Sequence, residues 1–223
     1  MVVLVVALIG ALVFWAATRD QDLQAAGTSS ALPEGGGVRF GPAEGTDVPE
    51  VHLYADPQCP WCGVLERQVG SALAERAQAG DLALTVTLMS FLDGKIGGEH
   101  SARAAGAALC ADDADAFLPF VGAMYAQQPQ EGVGWTDEQL VALGGTAGIS
   151  GADRDTFASC VAERPHQDYV QAMQQRANRD GVSGTPRLFV NGEEISEQEM
   201  RGLMQDGSTL DSVLAAHAGG TGR

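Results

Sequence analysis

Two cysteines separated by two residues, Cys59 and Cys62, are the part of this 223-residue chain best suited to chemistry. They end the stretch 51–62, VHLYADPQCPWC. An extended run at 51–54 meets a turn at Asp56 and Pro57, and the cysteines follow with Pro60 and Trp61 between them. Val64, Leu65, Val69 and Leu73 then recur at helical spacing. Cys59 is therefore expected at a helix N-terminus, where free backbone N–H groups and the helix dipole favour a thiolate over a thiol. A dithiol placed there suits thiol–disulfide exchange. Cys59, the exposed cap, attacks or is attacked, and Cys62, one turn in, resolves the mixed disulfide by attacking Cys59. The competing reading is half of a zinc site, which needs about four Cys or His ligands. No second clustered pair and no HxxxH appears, so the reading assigns no metal and no cofactor.

Positioning these thiols requires a strand before them and a helix after them. Residues 51–54 read as the strand that delivers the cysteines, and 62–79 as the helix, ended by Gly80. Residues 82–89 (LALTVTLM) alternate and are β-branched, so they read as a second strand. Strand, helix and strand make a parallel βαβ unit, and 38–40 is a short first strand. Residues 97–180 are helical by pattern, in stretches at 100–111, 116–127, 136–144, 153–164 and 165–179. Thr136, with Gln139 three residues on, is a capping box candidate. The change from βαβ to a run of helices implies an inserted helical subdomain. In 181–192 (GVSGTPRLFVNG), residues 188–190 form a strand, and Asn191-Gly192 is a type I′ hairpin signal that returns through 193–195. Ser196 caps the next helix, with Glu199 closing a second capping box. A short helix at 208–216 finishes the chain. The domain plan is an α/β unit from 38–96 and 181–218, holding the helical insertion 97–180.

Composition narrows the class. Hydrophobic residues make up 45%, ordinary for a chain with a real core. A net charge of -16 argues against nucleic acid and anionic membrane surfaces as partners. The four cysteines allow three pairings. The close pair is of redox type. The distant pair, Cys110 and Cys160, is open to two readings: a structural bridge, common only in oxidising compartments, or two buried free thiols. Residues 2–17 carry no charge and fall slightly short of the ~20 apolar residues of a spanning helix. With no basic residue before them, 1–17 read as an uncleaved anchor in preference to a cleaved signal or a core helix. Residues 18–37 read as a flexible linker. Arg19 alone cannot orient the anchor; the cysteine chemistry does, which puts the catalytic domain on the extracytoplasmic side of the cell membrane.

Cys59-Pro60-Trp61-Cys62 between strand and helix, the loop Gly181–Pro186 with the hairpin behind it, and the helical insertion between two α/β halves occur together. In this combination the chain resembles the thioredoxin superfamily, and within it the membrane-anchored, actinobacterial DsbA-like thiol–disulfide oxidoreductases. The resemblance implies a thioredoxin fold: a central mixed sheet flanked by helices, with the helical subdomain inserted. It implies that Pro186 is cis, that it lies against the cysteine pair, and that Thr185 offers backbone groups to an extended substrate; the competing reading of Thr185-Pro186 is an ordinary loop. It also implies a Cys110–Cys160 disulfide that staples the helical subdomain. The chain departs from the family at three places. Many members carry an acid six residues before the first cysteine, where this chain has Leu53, so proton transfer to Cys62 needs another group. Asp56 is the nearest candidate, with turn capping as its alternative role, and His52 reads as a packed histidine rather than a base. Trp61 stands where the best-known oxidase has histidine. Arg187 either adds positive potential near the thiolate or is simply solvated.

The expected activity is that of a protein disulfide oxidoreductase outside the cytoplasm. In the favoured reading, it is an oxidase that donates the Cys59–Cys62 disulfide to reduced secreted proteins and is reoxidised by a membrane partner of DsbB or VKOR type. The alternatives are a reductase or isomerase on the same fold, or a chaperone-like peptide-binding module.

Overall fold

The computed structural model describes residues 36–43 and 45–219. The readings of 1–17 as an anchor and of most of 18–37 as a linker lie outside these residues. Among the described residues, no helix is long and apolar enough to cross a membrane.

Five strands form one mixed sheet: β1 (Val38–Phe40), β2 (Glu50–Ala55), β3 (Ala83–Leu88), β4 (Arg187–Val190) and β5 (Glu193–Glu194). Their spatial order is β1-β3-β2-β4-β5. Only β2 and β3 are parallel neighbours, with Leu53 opposite Val86; the other three pairings are antiparallel. The β2–β3 pair is the βαβ unit expected from the alternating run after Gly80. Alternation along β2 buries Val51, Leu53 and Ala55 on one face and leaves His52 and Tyr54 half-buried on the other. The hairpin between β4 and β5 turns at Asn191 and Gly192, both at positive φ (52° and 80°), as a type I′ turn requires.

The helix after the cysteines starts earlier than residue 62 and is not uniform. α1 (Pro60–Leu65) has Cys59 as its N-cap and Pro60 in its first turn, where a missing N–H costs nothing. It runs through a π-helical turn (Glu66–Gly70) into α2 (Ser71–Ala79), which stops at Gly80 in the left-handed conformation. A short α3 (Asp93–Ile96), which periodicity does not reveal in four residues, follows β3. Its Asp93 carboxylate accepts the Ser101 and Ala102 N–H groups, and so caps the next helix from outside it.

That helix, α4 (His100–Asp112), is buried along almost its whole length from Ser101 to Ala111. Its alanines carry too little side chain to hold neighbours apart, so α4 serves as the axis of the insertion. Around it stand α5 (Phe117–Ala126), α6 (Asp137–Thr146), α7 (Ala152–Glu163) and α8 (Gln167–Arg179). The Thr136 capping box at α6 is complete. Cys110 on α4 is joined to Cys160 on α7 by a disulfide that spans 50 residues of sequence. After the sheet, the complete Ser196 capping box starts α9 (Glu197–Gln205), and a 3-10 turn (Gly207–Thr209) leads into α10 (Leu210–Ala216). The result is a mixed sheet flanked by helices with a helical insertion, the thioredoxin-like arrangement that the resemblance implies.

Candidate active site

β2 ends at Ala55, and the chain turns sharply before α1. Asp56 makes that turn. Its Oδ1 accepts the Gln58 N–H at 2.8 Å and the Ser101 hydroxyl at 2.6 Å, and its Oδ2 accepts the Leu92 N–H at 2.9 Å. Asp56 is fully buried, and burial pushes its carboxyl up to about 6. Its carboxylate is thus committed to the turn, and it meets Cys62 only through its backbone N–H, which donates to Sγ at 3.4 Å. The capping role, not proton transfer, describes this residue.

The turn delivers Cys59 as the α1 N-cap, and its residue is 6% exposed rather than an open cap. The loop of Thr185 and Pro186 covers it. The Thr185–Pro186 peptide bond is cis, and the Cys59 thiol donates to the Thr185 carbonyl at 3.5 Å. Cys62 lies deeper, at 2% exposure. Both thiols are free of any disulfide. Their environments push their acidities apart. A hydrogen bond from the Cys62 thiol is the largest influence on Cys59. With the Cys62 and Trp61 N–H groups and the Thr185 side chain, it overcomes the cost of burial and pulls Cys59 down to about 6. Burial, together with Cys59 beside it, pushes Cys62 well above the ordinary thiol range. One sulfur is a thiolate at neutral pH and its neighbour keeps its proton.

Trp61, 62% exposed, stands at the edge of a groove of about 690 Å³ lined by Val64, Pro186, Met200 and Met204, with charged residues such as Arg187, Glu197 and Arg201 also in its wall. Val64 therefore faces this groove, not the core. Arg187 forms an ion pair with Glu194 across the hairpin, so it has a specific partner. His52 faces away from Leu53, hydrogen-bonds Thr87 Oγ1 at 2.8 Å and stacks on Tyr54; burial lowers it to about 4. It is a packed, neutral histidine.

The insertion supplies contacts that the sequence reading did not find. Tyr125, on α5, donates its hydroxyl to the Asp56 carbonyl at 3.1 Å. Gln128 donates to the Pro57 and Cys59 carbonyls, and the Gly132 N–H donates to Gln58 Oε1. Glu66, on the π turn, has its carboxyl pushed up to about 7 by burial. A signal for Glu66 was present: it is an acid four residues after Cys62, next to the apolar positions Leu65 and Val69. Gln128 and Gly132 carried none, since nothing local marks a partner some 70 residues away. Among the described residues, one cluster brings three metal-capable donors within 4.8 Å, namely Cys110, Cys160 and His166, and both sulfurs there are committed to the disulfide.

A thioredoxin family model matches residues 44–206. No curated protein matches the chain. Among solved structures, oxidised DsbA from Mycobacterium tuberculosis is 27% identical, covering 81% of this chain and 98% of its own, with a TM-score of 0.59. Reduced DsbG from the same organism, described as a disulfide bond oxidoreductase, is 26% identical over 88% of this chain and 97% of its own, with a TM-score of 0.57. MdbA from Actinomyces oris, a thiol-disulfide oxidoreductase, is 17% identical over 83% of this chain and 88% of its own, with a TM-score of 0.68. At that identity MdbA speaks for the fold alone.

Proposed function

Because this chain belongs to the thioredoxin family and is a DsbA-like thiol–disulfide oxidoreductase, we propose that it works as an oxidase, donating the Cys59–Cys62 disulfide to reduced secreted proteins. The observation that carries this reading is the place of Cys59, the N-cap of α1 under the cis Thr185–Pro186 loop, where its thiol is pulled down to about 6. Whatever stabilises the Cys59 thiolate stabilises the reduced pair, and a stable reduced pair makes the disulfide a stronger oxidant.

In the oxidising direction a substrate thiolate attacks Cys59 Sγ. The Cys59–Cys62 bond breaks and its electron pair goes to Cys62 Sγ. A second thiolate of the substrate then attacks the substrate sulfur of the mixed disulfide and expels Cys59 as the thiolate. The substrate leaves oxidised and the pair stays reduced. Electron bookkeeping corrects the role expected for Cys62: it is the leaving group here. Its attack on Cys59 belongs to reoxidation, or to a reductase. Thr185 and Pro186 border the attack path, and Pro60 and Trp61 space the thiols. The groove beside Trp61 suits apolar side chains of an unfolded substrate.

The same reading puts the catalytic domain outside the cytoplasm, held by 1–17, with a membrane thiol oxidase of DsbB or VKOR type restoring the disulfide. The apolar run at 2–17 and the Cys110–Cys160 disulfide support it. The test is the equilibrium reduction potential of the Cys59–Cys62 pair in glutathione buffers. A value well above the ~-270 mV of a thioredoxin, towards ~-120 mV, is expected. A value at or below that of thioredoxin would overturn the oxidase reading and leave a reductase.

A further inference from the structure

Thiol–disulfide exchange, the reading on which this inference rests, requires a proton to reach and leave Cys62. The sulfur freed when the disulfide opens is 2% exposed, and burial disfavours its thiolate. It is shielded from the protein surface, and the Asp56 carboxylate is bonded to Gln58, Ser101 and Leu92. The donor has to lie elsewhere.

Glu66 follows Cys62 by four residues, and its N–H donates to the Cys62 carbonyl, so the two side chains stand one above the other on one face. Both line a cavity of about 440 Å³, with Leu53, Tyr125 and Pro186 around it. Two glycines make room for the carboxyl. A Cβ at Gly70 would collide with it, and a Cβ at Gly122, on α5, would sit 3.8 Å from Oε1. Among the described residues, the Glu66 carboxyl has no hydrogen bond and no ion pair. It is a half-buried acid without a structural duty. The cavity is large enough for several waters.

We propose that Glu66 is the proton relay for Cys62, passing the proton across the cavity that the two side chains share. As the disulfide opens, the protonated carboxyl gives its proton to Cys62 Sγ and becomes a carboxylate. In reoxidation the carboxylate takes that proton back. The Cys62 sulfur then attacks Cys59 Sγ in a mixed disulfide with the oxidising partner and expels the partner's thiolate. Burial holds Glu66 near 7, so it can do both at neutral pH. The other titratable or charged groups around the cavity are Arg67 and Glu75 on the same helical run and Tyr125 on α5. Arg67 donates to the Tyr125 carbonyl at 3.5 Å, and the Tyr125 hydroxyl donates to Asp56. α9, packed on the other side of the π turn, lines none of the cavity.

The test uses Glu66→Gln and Glu66→Asp in the full chain, with oxidised glutathione as the probe. Stopped-flow fluorescence follows mixed-disulfide formation at Cys59, then its resolution by Cys62, as a function of pH. In Glu66→Gln, resolution at pH 7 is expected to slow by about tenfold, within the range of one acid–base group. The inflection near pH 7 is expected to vanish, while the alkylation midpoint of Cys59 stays in place. Glu66→Asp restores part of the rate. If the wild type forms and resolves the mixed disulfide but Glu66→Gln matches it at every pH, the relay is wrong and the exchange reading stands. If the wild type forms no mixed disulfide, the exchange reading itself falls, and the relay with it.

Discussion

Gln128 holds Cys59 by its backbone: its side-chain amide donates to the Cys59 carbonyl at 2.9 Å, and to the Pro57 carbonyl at 2.8 Å. One amide group from the insertion thus pins the turn that carries the thiol. Gly63 makes room for it, since a Cβ there would collide with Gln128 Oε1. Gln128→Ala should therefore lower the stability of the reduced protein by about 1 kcal/mol, because Cys59 O keeps its helix partners while Pro57 O loses this one. Gly63→Ala should act through the same contact, so the double variant should cost less than the two single costs added together. Guanidinium unfolding measures all three. Equal midpoints for wild type and Gln128→Ala would remove this contact from the account.

The second prediction concerns the titration of Cys59. Its thiol is lowered to about 6, first by the hydrogen bond from Cys62. A depressed pKa means that the stabilisation of the reduced fold is present at alkaline pH and is lost as pH falls through about 6. Ultraviolet thiolate absorbance of the reduced protein should show a midpoint near 6, and Cys62→Ala should move it upward. A midpoint already in the ordinary thiol range in the wild type would contradict the site geometry.

The buried carboxyls act in the opposite direction. Burial raises Asp56 to about 6 and Glu66 to about 7. For a raised acid, the folded state binds the proton more tightly than the unfolded state does. Its contribution to stability is complete below the ordinary carboxylate range and is lost as pH rises through about 6 and then 7. Denaturant midpoints of the reduced protein should thus fall between about pH 4 and pH 6, and level off between 6 and 7, where the Cys59 thiolate offsets Glu66. Glu66→Gln should make the fall shallower and turn the level stretch between 6 and 7 into a rise. A wild-type midpoint that does not decline between about pH 4 and pH 6 would count against both assignments.

The disulfide on the insertion makes a separate prediction. Cys110 and Cys160 are 50 residues apart, so in the chain-entropy model removing their cross-link should cost about 4 kcal/mol. The double Cys110→Ala, Cys160→Ala variant should show that loss in urea unfolding. Its Cys59 titration should stay near 6 if it is measured below the unfolding transition. A loss below about 1 kcal/mol would mean that the unfolded chain is already compact.

The sequence by itself determined the local features. Cys59 as the N-cap of α1 follows from a turn, a proline and a helical stripe that are adjacent in the chain. The alternation of β2, the hairpin at Asn191 and Gly192, and the capping boxes of Thr136 and Ser196 depend on residues within a few positions of each other. Spacing encodes such features because backbone geometry repeats over two to four residues. Tertiary structure alone decided the roles of the polar side chains. Asp56 could have served Cys62 or the turn, and it serves the turn because Ser101 and Leu92 arrive from α4 and the segment after β3. Gln128 became an anchor because α5 ends beside α1. Glu66 became a half-buried acid because Gly122 of α5 closes over it and the π turn brings Gly70 beneath it. A polar group's partner is fixed by which distant surfaces pack together, and no local period records that.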